Sequence, residues 1–114
     1  MAKRNLCHSI LNDYFKKPGK AETLGPYRVE FYHWSSRVAM MYRSIHHYKY
    51  SVKYHKTYDN FKAMQHRDRK IREFCTFNQI TLITVPHYTS CVQGLIRRKL
   101  GIPNDCRCSS CRIN

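Results

Sequence analysis

The chain has 114 residues, with 21 Lys plus Arg against 7 Asp plus Glu, so its formal charge is +14 with His neutral. That length supports a single hydrophobic core, and 42% hydrophobic with 13% aromatic residues are enough to build one, which excludes a disordered chain. No apolar run approaches the ~18 residues of a membrane helix, so no span is expected.

Leu6, Ile10, Leu11, Tyr14 and Phe15 recur at helical spacing and predict an amphipathic helix over 5–16. Pro18-Gly19 stops it, and 18–26 reads as a loop. Tyr27 to Trp34 is aromatic and β-branched, a strand, and Ser35-Ser36 a turn. Val38-Ala39-Met40-Met41-Tyr42 is a second strand, apolar enough throughout to lie at a sheet centre. Tyr48, Tyr50, Val52 and Tyr54 alternate, which predicts a third strand over 46–55.

A long helix is expected over 58–77, with Thr57 as N-cap and Asp59 at the positive end of its dipole. Its apolar stripe runs through Phe61, Met64, Ile71 and Cys75, and Asp68 stands in that stripe as an odd member. Asn78 is the expected stop. Ile80 to Val85 is a buried strand closed by Pro86. A last helix over 89–100 uses Val92, Leu95, Ile96 and Leu100, and Gly101 and Pro103 end it. The expected fold is one mixed α/β (α+β) domain over 1–101, followed by a basic, Cys-rich tail over 102–114. Its first three strands would form an antiparallel meander, and the fourth would return through a helix to pair in parallel.

The positive charge is spread along the whole chain rather than gathered in one tail. So much charge on a small body attracts polyanions: nucleic acid first, an anionic membrane surface second. The plain alternative is a solvated basic surface. The start, Met1-Ala2-Lys3-Arg4-Asn5, is basic and lacks a secretory apolar region. The six cysteines are therefore expected to be reduced, in an intracellular setting, nucleus or cytoplasm.

Two stretches carry chemistry. The first is Gln65-His66-Arg67-Asp68-Arg69-Lys70-Ile71-Arg72-Glu73-Phe74-Cys75, leading into Ile80-Thr81-Leu82-Ile83-Thr84-Val85-Pro86-His87-Tyr88. Over about 54–88 the chain resembles the small PD-(D/E)xK-type nuclease domains of restriction-endonuclease-like fold, found in phages, large DNA viruses and some eukaryotic genomes. In these a basic helix ending near a Cys leads into a strand ending in Pro-Tyr. The resemblance extends back to Arg28-Val29-Glu30-Phe31-Tyr32, where the family has Arg-x-Asp-Phe-Tyr, and to His47-Tyr48, which match a His-Tyr pair.

The resemblance implies an αβββαβ core, Mg²⁺-dependent DNA cleavage, and an origin in a large DNA virus acting in an infected cell. It places Glu30 at the metal-binding Asp position, Met41 where the catalytic Glu belongs, and His46 where a Gln or Lys belongs. Mg²⁺ requires hard oxygen ligands, and the Met41 thioether is soft. The expected site of Glu30, His46, His47 and Asp68 is therefore degenerate. The protein is expected to bind DNA through Arg67, Arg69, Lys70, Arg72, Arg97, Arg98 and Lys99, with hydrolysis lost or impaired.

Each of these residues also has a plainer reading. Glu30 fits a strand-edge ion pair, Met41 plain core, and Asp68 a buried carboxylate with an Arg or His partner. The basic residues fit a solvated helix face.

The second stretch is Cys106-Arg107-Cys108-Ser109-Ser110-Cys111. Three thiolates at this spacing can share one Zn²⁺, with His87, Cys91 or a partner's residue as fourth ligand. Two further readings therefore stand beside the first: a zinc-stabilised basic accessory module without nuclease activity, and an active endonuclease with a rearranged site.

Overall fold

A computed structural model describes residues 3–16, 21–103, 106 and 108. It is a mixed α+β fold in which small sheets are flanked by helices. The central sheet has three strands: β3 (Phe31–His33), β4 (Val38–Arg43) and β5 (Thr81–Pro86), in the order β3-β4-β5. β3 runs antiparallel to β4, with Phe31 opposite Met40, and β5 runs parallel to β4, with Met40 opposite Ile83. The parallel pair requires a crossover, which α3 (Tyr58–Phe77) supplies.

The period of two along β4 sorts its side chains between two cores. Val38 and Met40 point to one face, where Phe31, Ile83 and Val85 join them. That face is covered by α1 (Lys3–Phe15), through Cys7 and Leu11, and by α4 (Val92–Leu100), through Val92 and Ile96. Ala39 and Met41 point to the other face and pack with Ile71 and Cys75 of α3. A separate hairpin of β1 (Glu22–Leu24) and β2 (Tyr27–Val29) closes this second core with Leu24 and Val29. Burial of four successive residues, Val38 to Met41, agrees with the sheet-centre expectation.

The hairpin turn is Gly25-Pro26, and Gly25 sits at φ +60°. A Cβ there would lie 2.7 Å from the Phe74 ring, so the missing side chain lets the hairpin press against α3. Tyr27 meets the same ring edge-on at 5.7 Å.

Helix α3 falls where its periodicity predicts. The Thr57 side chain accepts from the Asn60 amide at 3.1 Å, and Asn78 closes the other end by donating its backbone N–H to Phe74. The left-handed residue after it is Gln79, at φ +57°. Helix α4 begins at Val92 rather than 89, because Cys91 is its cap.

Three expectations are corrected. β1 lies inside the predicted 18–26 loop. The single strand over 27–34 is two strands broken at Glu30, the first pairing in the hairpin and the second in the central sheet. The strand over 46–55 does not form, so the meander of the αβββαβ scheme has no third strand. In its place are a 3-10 turn (Ile45–His47) and a short helix α2 (Val52–His55). Ser51 caps α2, and its amide in turn donates to His55 Nδ1 at 3.0 Å. The tyrosines pack on rings rather than across a sheet: Tyr54 stacks on His46 at 3.8 Å, and Tyr50 lies against His55 and Phe61.

Cys7 is fully buried between α1 and the sheet. Burial first, and the charge of Glu30 second, push its thiol from the ordinary 9.0 up to about 11. Between these two values the folded chain holds a proton that the unfolded chain has released, so stability falls as pH rises. The neutral thiol's contribution is complete below pH 9 and is lost as pH climbs through about 11. Urea titrations of the native chain and Cys7→Ala between pH 8 and 11 check this: the two stability curves should converge as pH rises, and parallel curves would refute it.

Candidate functional site

The strand period that puts Met41 on the α3 face also puts Arg43 there. The Arg43 guanidinium reaches Asp68 of α3: Nη2 donates to Oδ1 at 2.9 Å, and also lies 3.0 Å from the Met41 sulfur. His47, from the turn after β4, donates Nδ1 to the other carboxylate oxygen, Oδ2, at 2.8 Å. Side-chain exposures are 7% for Arg43, 13% for Asp68 and 15% for His47. Burial pulls the Arg43 pKa below its usual value, and the Asp68 charge opposes that pull. The odd carboxylate in the α3 stripe is thus a largely buried acid held by a partner on each oxygen.

Glu30 sits at the break between β2 and β3. Its Oε2 is screened from solvent and lies 3.3 Å from Arg4 Nε and 4.0 Å from His8 Nε2, without hydrogen-bond geometry. Glu30, Met41, His47 and Asp68 line one hollow of about 420 Å³, together with Arg28, Arg43 and Arg67. Four of the five positions singled out by the resemblance therefore converge. His46 does not: its ring stacks on Tyr54, and its carbonyl accepts from His55 Nε2 at 2.7 Å. The donor set fits Mg²⁺ poorly. It offers two carboxylates, each already faced by basic side chains, and a thioether, where the ion needs several oxygen ligands in near-octahedral array.

The Arg43–Asp68–His47 wall has a second side. There it borders an open groove of about 780 Å³ rimmed by Lys62, His66, Arg69 and Arg72 of α3 and by Tyr48, with Asp59 as a further acid. Arg72 also lines an adjoining hollow of about 300 Å³ with Lys99 of α4. The two predicted basic clusters thus meet through Arg72 and Lys99, joined by Lys62 and His66, which the sequence reading did not single out. The remaining predicted cations diverge. Arg67 turns into the smaller hollow with Glu30, Lys70 pairs with Glu73 at 3.5 Å, Arg97 donates to the Pro103 carbonyl, and Arg98 is exposed near the end of α4.

Arg43 was missed from sequence. Its signal was a lone charge at the end of a run of buried apolar residues, two positions after Met41 and so on the same face.

The C-terminal cysteines form a separate cluster. The sulfurs of Cys91, Cys106 and Cys108 all lie within 4.8 Å of one another, close enough to share a metal ion. Cys91 and Cys106 are 3.5 Å apart. Cys91, one of the candidate fourth ligands, thus joins Cys106 and Cys108 of the expected trio, and Cys111 lies outside the described residues. His87 is not in the cluster; its ring packs with Tyr48 and Tyr88.

The chain is similar to "Uncharacterized protein 307L" of Invertebrate iridescent virus 6, with 29% identity over 90 residues, 77% of this chain and 46% of the relative. The chain thus spans about half the length of that curated relative. No family profile matches it, and no solved structure does. Among the described residues no helix is long and apolar enough to cross a membrane.

Proposed function

We propose that the chain is a nucleic-acid-binding protein, DNA its first expected partner, of restriction-endonuclease-like ancestry and without metal-dependent hydrolysis. The observation that carries this reading is the groove itself: a rim of Lys62, His66, Arg69 and Arg72, extended by Lys99, set around an acid that Arg43 and His47 already engage. A cationic rim attracts phosphates along a backbone, and a neutralised carboxylate does not repel them. Met41 offers no oxygen, and Glu30 and Asp68 each already face basic side chains, which leaves too few free oxygen ligands for a Mg²⁺ centre. The viral relative supports a role inside an infected cell, in nucleus or cytoplasm.

The test is binding of labelled duplex and single-stranded DNA to the full chain at 50–200 mM salt, with supercoiled plasmid and Mg²⁺ or Mn²⁺ in parallel. If Lys62, Arg69, Arg72 and Lys99 each neutralise one phosphate, the log–log salt slope is about −3.6, and affinity falls about 150-fold across that range. No nicking above background is expected. Absence of binding at 50 mM would refute the reading, and Mn²⁺-dependent nicking abolished by Glu30→Ala would replace it with a working enzyme.

The thiol cluster favours a second reading, a zinc-stabilised basic module that engages an acidic protein. Bound zinc together with no DNA affinity would single it out.

A further inference from the structure

We infer that Cys91, Cys106 and Cys108 hold one Zn²⁺, and that the ion fastens Cys106 and Cys108 to the first turn of α4. The inference does not depend on nucleic-acid binding. Zn–S bonds of about 2.3 Å at tetrahedral angles place sulfurs about 3.8 Å apart. The Cys91–Cys106 separation is 3.5 Å, and all three sulfurs fall within 4.8 Å of each other. Soft thiolates select zinc over the hard cations that carboxylates prefer.

Cys91 is built for this role by its place in the fold. As N-cap of α4, its sulfur accepts the Gly94 amide N–H at 3.3 Å. Its backbone is held by the helix, so one ligand is fixed before the metal arrives. Cys106 and Cys108 bring the other two sulfurs to it. Binding forms three Zn–S bonds and releases three thiol protons to solvent. Water takes the fourth position, or Cys111 on the Cys-x-Cys-x-x-Cys spacing, in which case a fourth Zn–S bond forms and a fourth proton leaves.

The N-cap position also offers a clean variant. Cys91→Ser retains an acceptor of a preferred capping type but removes the soft ligand. The full chain, purified under reducing conditions without chelator and equilibrated with excess Zn²⁺, should retain one equivalent by elemental analysis after gel filtration. Cys91→Ser and Cys108→Ser should each retain less than about a tenth of that amount, a loss of at least tenfold in bound metal. Replacing zinc with Co²⁺ should give a thiolate-to-cobalt charge-transfer band that both variants lose. Circular dichroism should show the helices of both variants intact.

Cys108 is exposed, so its substitution decides the matter even if Cys91→Ser fails to fold. A metal-free native chain overturns the inference. So does a full equivalent of zinc in either variant, or a Cys91–Cys106 disulfide in the metal-free protein under reducing conditions.

Discussion

Asp68→Ala should lower the stability of the chain by about 3–5 kcal/mol, the usual cost of removing one partner from a buried ion pair. The reason lies in Arg43, whose side chain is only 7% exposed and donates to Asp68 at 2.9 Å. Without the carboxylate the guanidinium keeps its charge and is left against the Met41 sulfur, a weak acceptor. His47 loses its partner at the same time. The urea midpoint should fall with little change in slope. The double replacement Arg43→Met with Asp68→Leu should recover much of the loss, because an apolar pair of similar size carries no desolvation cost. A midpoint change worth less than about 1 kcal/mol in Asp68→Ala would mean that Arg43 swings out to water in the groove, against the packing described above.

Arg69→Ala with Arg72→Ala should weaken DNA binding about 60-fold at 0.1 M salt. Each phosphate contact contributes about 0.9 to the log–log slope, hence about 0.9 log units at that salt concentration, and two contacts are removed. The slope should fall from about −3.6 to about −1.8 over the same salt series. Lys70→Ala serves as the contrast, since Lys70 pairs with Glu73 and does not line the groove. Equal losses in the double variant and in Lys70→Ala would show a diffuse charge effect with no groove. An unchanged slope in the double variant would remove α3 from the interface.

The long elements were legible because their signals are redundant. Helix α3 had a stripe, a cap and a stop that agreed, and β4 and β5 were apolar runs bounded by turn residues. Residues 46–55 were misread because alternating tyrosines mimic a strand. What decided the local structure was the bonding of Ser51 with His55, the Ser51 cap on the Tyr54 amide and the stacking of Tyr54 on His46, side-chain chemistry that a period of two cannot encode.

In the site, the buried-acid reading of Asp68 was available from its place in the stripe, but the identity of its partners was not. Arg43 and His47 lie 25 and 21 residues before it, and only the crossover brings them alongside. The fold brings Glu30, Met41 and His47 to one hollow, whereas His46 is turned away by its stacking on Tyr54. Of the thiols, Cys106 and Cys108 announced themselves by spacing. Cys91 stood on the slate only as one of several fourth ligands, because its role comes from where α4 begins.

The packing of α1 against α4 has a consequence for biosynthesis. Cys7 and Leu11 share a core with Val92 and Ile96, and β4 finds its parallel neighbour only when β5 has been made. On the ribosome, α1 emerges before β5 and α4 and must wait, greasy side uncovered, until the segment through α4 has been translated. The hairpin can close at once, but the central layer cannot. Such long-separated pairings slow folding and leave the nascent chain exposed to aggregation or to chaperone capture in the interval.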